Sequence, residues 1–523
     1  MKMNCSRTLY SVILLLFLVC ACKYTPTIQT SVTLPRSVPE AEGVSSEGIL
    51  AFLAAADSSQ HELHSFMFLR HGKVIAEGWW DPYKPDLRHT LYSTSKSFTS
   101  TAVGFAVSEN RINVNDKVIS FFPEDLPDTV SPFLADMMVK DLLCMSAGQD
   151  PDPTFTVTHK DSNWVKAFLA LPIINDPGSK FLYNSLATYM LSAIVQKVTG
   201  EKIIDYLTPR LFKPLGIEGM DWEVDPRGIN TGGWGLRLKT EDMAKFGQLY
   251  LQKGKWNDRQ LLPEKWIDEA TTFKIDQSPG VPQATKDSSD WMQGYCYQFW
   301  RCRNNAFRAD GAYGQYIIVM PDQDAVIAIT SESPDMQDEI NLVWKYLLPS
   351  IKTGKLSENP AIAANLEQKL TSLALPLPAK GYDSLVVSKL SGKSFTMDQN
   401  EMHLETMYFR FMGDTCQVTL KIDNADYNLI FGIGIWITGE TTKRGPNLLG
   451  PAKAHFKGLP PAKIAGSYGW KDSNTLELVL RYIESPHTER IICKFDGNKI
   501  SADIKYSNTP ENEIVVKGKQ RIR

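Results

Sequence analysis

The 523-residue chain contains one S-x-x-K, Ser93-Thr94-Ser95-Lys96, set in Leu91-Tyr92-Ser93-Thr94-Ser95-Lys96-Ser97-Phe98-Thr99. On a helix the i and i+3 positions share a face, so this spacing brings a hydroxyl and an amine close enough to pass a proton. A helix starting at Ser93 would also aim unpaired N–H groups and the positive end of its dipole at a developing oxyanion. Lysine serves as a base only when partly neutral, and burial beneath the surrounding apolar residues would depress its pKa. The bland alternative is a solvated helix start, because a chain rich in Ser and Lys produces such spacings by chance.

More familiar catalytic patterns are missing. There is no G-x-S-x-G elbow and no G-x-G-x-x-G, and Ser391-Gly392-Lys393-Ser394 lacks the upstream glycine of a phosphate loop. The eight histidines show neither H-x-x-x-H nor H-E-x-x-H spacing, so no metal is expected, and no cofactor motif is present. After His159 the region that carries Ser93 has no histidine, which a Ser-Asp-His order would require. The base of a serine enzyme here must be something other than imidazole.

Two further segments change the odds for Ser93. Pro177-Gly178-Ser179-Lys180-Phe181-Leu182-Tyr183-Asn184-Ser185 puts a tyrosine at the start of an apolar helix, and Ala309-Asp310-Gly311-Ala312-Tyr313-Gly314-Gln315 is a Gly-rich turn leading into a strand. Taken in this order with Ser93-x-x-Lys96, they resemble the three motifs of the penicillin-recognising serine hydrolases. The branch they are most similar to is that of class C β-lactamases, esterases and 6-aminohexanoate-dimer hydrolases. The resemblance runs from about residue 38 to 350 and includes Asp141 to Gly148, Gly232-Gly233-Trp234-Gly235-Leu236 and Trp256.

The resemblance implies that Ser93 is a nucleophile, Lys96 its activating partner and Tyr183 the second member of the base pair. It places Ser185 in the proton network or against substrate. It also implies an oxyanion hole from the N–H groups of Ser93 and Ala312, with Gly311 and Tyr313 in the same substrate-binding turn. In isolation, Tyr183 and Ser185 would read as a packed tyrosine and a helix N-cap. Two departures bear on substrate. Ala309-Asp310-Gly311 stands where β-lactamases and peptidases carry Lys-Thr/Ser-Gly, so the cation that clamps a substrate carboxylate is absent. Ser185 in place of Asn removes an amide that both donates and accepts. Arg308 is expected to be a solvated strand end, and Tyr92, Trp234, Tyr297, Trp300 and Tyr313 are candidates for an apolar pocket.

The elements that must position these groups can be read coarsely. Two β-like runs flank Arg70-His71-Gly72-Lys73, a hairpin signature, and a helix is expected over 93–109. A helix-rich stretch then runs to about 270, including Leu186 to Val198. Strands return at Tyr295–Trp300, Tyr316–Met320 and Ala325–Ile329, with an amphipathic helix around Glu339–Leu348. This is an α/β arrangement: an antiparallel sheet flanked by helices, plus a helical subdomain, over 36–352. A helical linker over 353–378 carries Ile362, Leu366, Leu370 and Leu373 on one face. From 379 to 523 short alternating runs predict an all-β antiparallel barrel or sandwich without a helix, with a turn at Asp496-Gly497-Asn498. Trp436 and Trp470 read as core aromatics.

Residues 1–22 read as a lipoprotein-type signal peptide: Lys2 and Arg7 precede an apolar run too short to span a bilayer, and Val19-Cys20-Ala21-Cys22 resembles a lipobox with Cys22 as the acylated residue. Residues 23–35 are a Thr/Pro-rich tether. The expected location is therefore the periplasm or cell surface, with membrane contact through the lipid anchor alone. Lys+Arg 56 against Asp+Glu 59 leaves no basic field and argues against nucleic acid as a partner. Cys144, Cys296, Cys302, Cys416 and Cys493 follow Cys22 without a C-x-x-C pair. Cys416 and Cys493 could bridge in an oxidising compartment, though buried free thiols are the simpler expectation. The leading expectation is a serine hydrolase cleaving a small-molecule ester or amide. A catalytically silent binding or sensing lipoprotein, and a weak β-lactamase or D-amino-acid peptidase, remain as alternatives.

Overall fold

The computed structural model describes residues 33–381 and 384–521, so the signal-like segment, Cys22 and nearly all of the tether lie outside the described residues. The first domain is built on a six-stranded antiparallel sheet of β1 (Glu62–Arg70), β2 (Lys73–Trp79), β3 (Trp300–Arg301), β4 (Phe307–Gly311), β5 (Gln315–Met320) and β6 (Ala325–Glu332), in the order β2-β1-β6-β5-β4-β3. Strand alternation sorts its side chains onto two faces. Phe66, Phe68, Ile318 and Ile327 enter one core with α1 (Ser46–Asp57), while Met67, Leu69, Ile317 and Val326 enter another with α2 (Ser95–Ser108).

The helical subdomain turns on α3 (Ser185–Thr199). Asn184 caps it, accepting from the N–H groups of Leu186 at 2.9 Å and Ala187 at 3.2 Å, and Gly200 at φ +77° ends it. On the sheet's second face, α4 (Thr240–Leu251) brings Phe246 against Phe98 with ring centroids 3.9 Å apart. Each such fully buried aromatic contributes roughly 1.5–3 kcal/mol. Two further helices, α5 (Met336–Leu342) and α6 (Pro360–Thr371), complete the first core. Leu366, Leu373 and Leu375 join its apolar cluster, so the stretch read as a linker packs as part of that layer.

Tyr295–Trp300, expected as a strand, pairs only at its two ends: Tyr295 bridges Ile275 and Trp300, and Trp300 opens β3. Gln298 sits at φ +65° and its N–H bonds Leu143, while Cys296 N–H reaches back to the Phe299 carbonyl, which closes a tight turn instead.

The second domain is a closed nine-stranded antiparallel barrel. Among the described residues the domain has ten strands, nine of them in the closed barrel: β7 (Lys393–Met397), β8 (Leu404–Met412), β9 (Thr415–Ile422), β10 (Ala425–Ile433), β11 (Ile437–Thr441), β12 (Ala462–Asp472), β13 (Thr475–Tyr482), β14 (Thr488–Asp496), β15 (Lys499–Tyr506) and β16 (Glu513–Gln520). The order is β10-β9-β8-β7-β16-β15-β14-β13-β12, and a short parallel pairing of Gly432 and Ile433 with Ser467 and Tyr468 closes it, with β11 alongside β12. Cys416, Val418 and Leu420 point inward by strict alternation, and Cys416 and Cys493 are buried as free thiols. Asp496–Lys499 turns as expected, with Gly497 at φ +58°. A helix at Ser384–Leu390 corrects the helix-free expectation. Trp470 is a core aromatic of the barrel, whereas Trp436 is half-buried between the domains, packed on the first domain's apolar cluster with Arg481 over its ring.

The barrel docks through the β13–β14 hairpin. Glu484 takes Arg88 at 3.0 Å and Arg237 at 2.9 Å, its carbonyl accepts from the N–H of Thr90, and Arg481 pairs with Glu62. A second bridge is the segment between β11 and β12. It sends Leu449, Ala452 and Ala454 into the core of the helical subdomain, and it is tied there by Lys453 N–H to Thr158 and by Val224 N–H to Lys457. Among the described residues no helix is long and apolar enough to cross a membrane.

Candidate active site

Helix α2 begins at Ser95 rather than Ser93. Tyr92–Thr94 forms a 3-10 turn ahead of it, which leaves Ser93 in the first turn of the combined element, where N–H groups lack intrahelical acceptors. Twelve consecutive residues of α2 are buried, so its small Ser and Thr side chains need internal partners, and all of the buried ones but Ser100 find them. Ser97 donates to the Gln298 carbonyl at 2.7 Å, Thr99 to that of Gly232 at 2.9 Å, and Thr94 to that of Gln315 at 2.7 Å. The helix start is thereby fixed to the sheet and to the glycine-rich segment at once.

Lys96 is 2% exposed. Its Nζ lies 3.0 Å from Ser93 Oγ, 2.9 Å from Ser185 Oγ and 2.7 Å from the Gly233 carbonyl. All three acceptors are neutral. Burial pulls the amine down to about 7, with the more distant charges of Asp152 and Asp310 pulling the other way. A neutral amine fits this cage: it donates to Ser185 and Gly233 and turns its lone pair to the Ser93 hydroxyl. Gly233 is required here because a Cβ would meet the Ser185 carbonyl at 2.8 Å.

Tyr183 reaches the same centre from the turn before α3. Leu182 N–H bonds the Met145 carbonyl at 2.8 Å and Asn184 N–H meets Met145 Sδ at 3.3 Å, so the Asp141–Gly148 segment sets its position. Its ring lies 4.9 Å from Lys96 Nζ. Burial pushes the phenol well above its ordinary value, against an opposing hydrogen bond with Ser93. Between the two candidate bases, the amine is thus the one that is substantially unprotonated near neutrality.

The third segment closes the site. Gly311 packs so tightly on the helix start that a Cβ would lie 2.2 Å from the Leu91 carbonyl. Gly314 N–H returns to the Gly311 carbonyl at 3.2 Å, forming a turn with Ala312 and Tyr313 at its centre. Tyr313 has φ +66° and Tyr92 has φ +46°. Left-handed backbone costs bulky residues of order 1–3 kcal/mol each, and the two positions flank Ala312 and Ser93. Ser93, Tyr183, Ser185, Ala312 and Tyr313 all retain partial exposure amid buried neighbours, so the constellation opens to solvent.

The structure therefore brings Ser93, Lys96, Tyr183 and Ser185 together and sets the Gly311–Tyr313 turn against them. Two pocket candidates do not join them. Tyr297 lies against Trp266, and Trp234 packs on Trp164 while donating to Glu223. Trp300 stacks on Tyr183 at 5.6 Å, and Tyr92 and Tyr313 meet at 5.8 Å. Arg308 is fully buried rather than solvated: it pairs with Asp310 at 2.6 Å, donates to the Asp290 carbonyl and Cys302 Sγ, and lies over the Trp291 ring at 4.2 Å. Its charge is consumed behind the site.

Residues with no assigned role in the sequence also matter. The Gly233 carbonyl holds Lys96, and Gln298 binds Thr188 Oγ1, the carbonyls of Leu142 and Leu143 and, through its own carbonyl, Ser97 Oγ, tying three helical segments together. From the barrel, His487 reaches Tyr92 and Glu332.

A beta-lactamase family profile matches residues 59–346, more than half of the chain. The chain belongs to the beta-lactamase family. It is 26% identical over 292 residues to the 6-aminohexanoate-dimer hydrolase of Paenarthrobacter ureafaciens, covering 52% of this chain and 73% of that protein. It is also 27% identical over 164 residues to protein flp of Staphylococcus aureus strain MW2, a match spanning 29% of this chain and only a third, 33%, of that relative's length. A solved structure of a provisionally named 6-aminohexanoate-dimer hydrolase from Bacillus anthracis superposes with a TM-score of 0.50 at 21% identity, over 64% of this chain and 88% of that one, a likeness of fold. The beta-lactamase-fold family is one of hydrolases, and the barrel follows that domain here.

Proposed function

We propose that this member of the family is a serine hydrolase that cleaves a neutral ester or a short linear amide through an acyl-enzyme on Ser93. The observation that carries the reading is the cage of Lys96: a buried amine held only by neutral oxygens, one of them the candidate nucleophile's. Lys96 takes the hydroxyl proton as Ser93 Oγ attacks the carbonyl carbon. The carbonyl oxygen becomes an oxyanion facing the N–H groups of Ser93 and Ala312, and Tyr183 relays the proton to the departing alcohol or amine. Water then attacks the acyl carbon, gives its proton to the same pair, and releases the acid and free Ser93.

The uncharged Ala309 at the third motif's lysine position supports the neutral substrate, and the adjacent cation, Arg308, is engaged by Asp310. A short amide of the kind named for the Paenarthrobacter relative fits this site better than an anionic β-lactam. A fluorophosphonate probe tests the reading: Oγ bonds phosphorus, fluoride leaves, and the hydroxyl proton passes to Lys96. Labelling of the wild type that vanishes in Ser93→Ala, with p-nitrophenyl ester turnover lost in parallel, is expected. An unlabelled wild type would make the protein a binding module, and a stable adduct with a fluorescent penicillin would restore the peptidase alternative. The signal-like residues 1–22 support action outside the cytoplasm from a lipid anchor, and fatty-acid labelling that survives Cys22→Ala would sink that part.

A further inference from the structure

His487 is fully buried at the tip of the barrel's β13–β14 hairpin. Its Nδ1 lies 2.6 Å from Glu332 Oε1 at the end of β6, and its Nε2 lies 2.5 Å from the Tyr92 hydroxyl. With the Glu332 carboxylate accepting from Nδ1–H, Nε2 is left to accept from the phenol. The Tyr313 ring meets the same imidazole in a T-shaped contact, with centroids 4.8 Å and planes 88° apart. One side chain from the second domain thus touches both residues whose left-handed backbone flanks Ser93 and Ala312.

We infer that His487 is a positioning residue for the oxyanion hole, holding Tyr92 and Tyr313 so that the N–H groups of Ser93 and Ala312 converge on one point. The inference rests on the hydrolase reading above. Its physical basis is local. The Ser93 N–H belongs to the peptide unit that begins at the Tyr92 carbonyl, so the backbone of Tyr92 sets its direction. Ala312 and Tyr313 are the two central residues of the turn closed between Gly311 and Gly314, and a turn with φ > 0 at its third residue ordinarily takes glycine there. Tyr313 is held on its backbone side, where its carbonyl accepts from Ser333 N–H at 2.9 Å and Ser331 Oγ at 2.8 Å. The imidazole supplies the hold on the ring side. Docking itself has other anchors in the ion pairs of Glu484 and Arg481, so an interface could form without a histidine at this point.

Five proteins test it: wild type, His487→Ala, His487→Gln, Tyr92→Phe and the His487→Ala/Tyr92→Phe double variant, which closes a cycle. Each full-length chain is assayed for its fluorophosphonate labelling rate, for kcat and KM on a p-nitrophenyl ester, and for melting temperature. His487→Ala is expected to lower the labelling rate and kcat by about 10- to 100-fold, with KM within about threefold, because the lost interaction belongs to the transition state. His487→Gln, whose amide oxygen can still accept from Tyr92, should recover most of the rate. The double variant should be no slower than the slower single one.

A wild-type labelling rate in folded His487→Ala, a defect confined to KM, or additive losses in the double variant would overturn the inference. Should His487→Ala fail to fold, Tyr92→Phe keeps the imidazole and the hairpin, and an unchanged rate there overturns it equally. Absence of labelling in the wild type removes the hydrolase reading and this inference with it, whereas equal labelling in wild type and variants removes this inference alone.

Discussion

Lys96 in the first domain and Lys443 in the barrel are both buried in polar cages, and only one of the two cages contains a carboxylate. Lys443 of the barrel, 5% exposed at its side chain, donates to Glu489 Oε2 at 2.5 Å and to the Tyr482 hydroxyl at 3.4 Å. Lys96 has three partners at comparable distances and no carboxylate among them. The barrel therefore solves the problem of a buried cation by pairing it, whereas at Lys96 the problem is left unsolved, so that the proton becomes the movable part. A nearby carboxylate exists in Asp310, but Arg308 engages it.

Exchanging each amine for a methyl thioether breaks the comparison most directly. Lys96→Met should lose about 10³-fold or more in ester turnover while melting close to the wild type, since only neutral acceptors are left behind. Lys443→Met should leave the Glu489 carboxylate buried without its partner and cost roughly 3–5 kcal/mol in urea denaturation, with residual activity per folded molecule unchanged. Next in size, Tyr183→Phe should reduce kcat by about 10²-fold with labelling of Ser93 still detectable, because the amine remains to take the first proton.

The smallest change sharpens the contrast. Wild-type kcat/KM should rise with pH through about 7, because the amine is active once it has lost its proton and its pKa lies there. Ser185→Asp would give Lys96 the partner that Lys443 has, favour the ammonium, and move that limb alkaline by about one unit or more. Linkage carries the same sign in stability. Lys96 is lowered from 10.5 to about 7, so between those values the unfolded chain binds more protons and stability rises with pH. Lys96→Met should flatten that slope in denaturation midpoints measured across the window.

The reacting groups were legible because their chemistry is written in short local spacings: Ser93 and Lys96 three apart, Tyr183 at a helix entry, and a Gly-rich turn before a strand. The alternation of Thr415–Ile422 likewise separates inside from outside, but it cannot say whether the sheet closes. Closure rests on Gly432 and Ile433 beside Ser467 and Tyr468, two pairings with no composition of their own. Tyr295–Trp300 has a strand's aromatics but turns at its centre, where Gln298 bonds the carbonyls of Leu142 and Leu143. Arg308 has the look of a strand-end charge, and only the convergence of Trp291, Trp300 and Asp310 from separate segments buries it. His487 stands 395 residues from Tyr92 and 155 from Glu332, a separation no motif spans.

The segment that carries Leu449, Ala452 and Ala454 into the core of the helical subdomain has a consequence for synthesis. A ribosome finishing the sheet and helices of the first domain, at Leu342 or soon after, still has more than a hundred residues to add before those three side chains emerge. At about 5–20 residues per second the nascent protein waits on the order of ten seconds with that part of its interior open. The early part of this polypeptide must therefore remain compact and unaggregated while incomplete, and shortening the gene at the apparent end of the first domain would make that interval permanent.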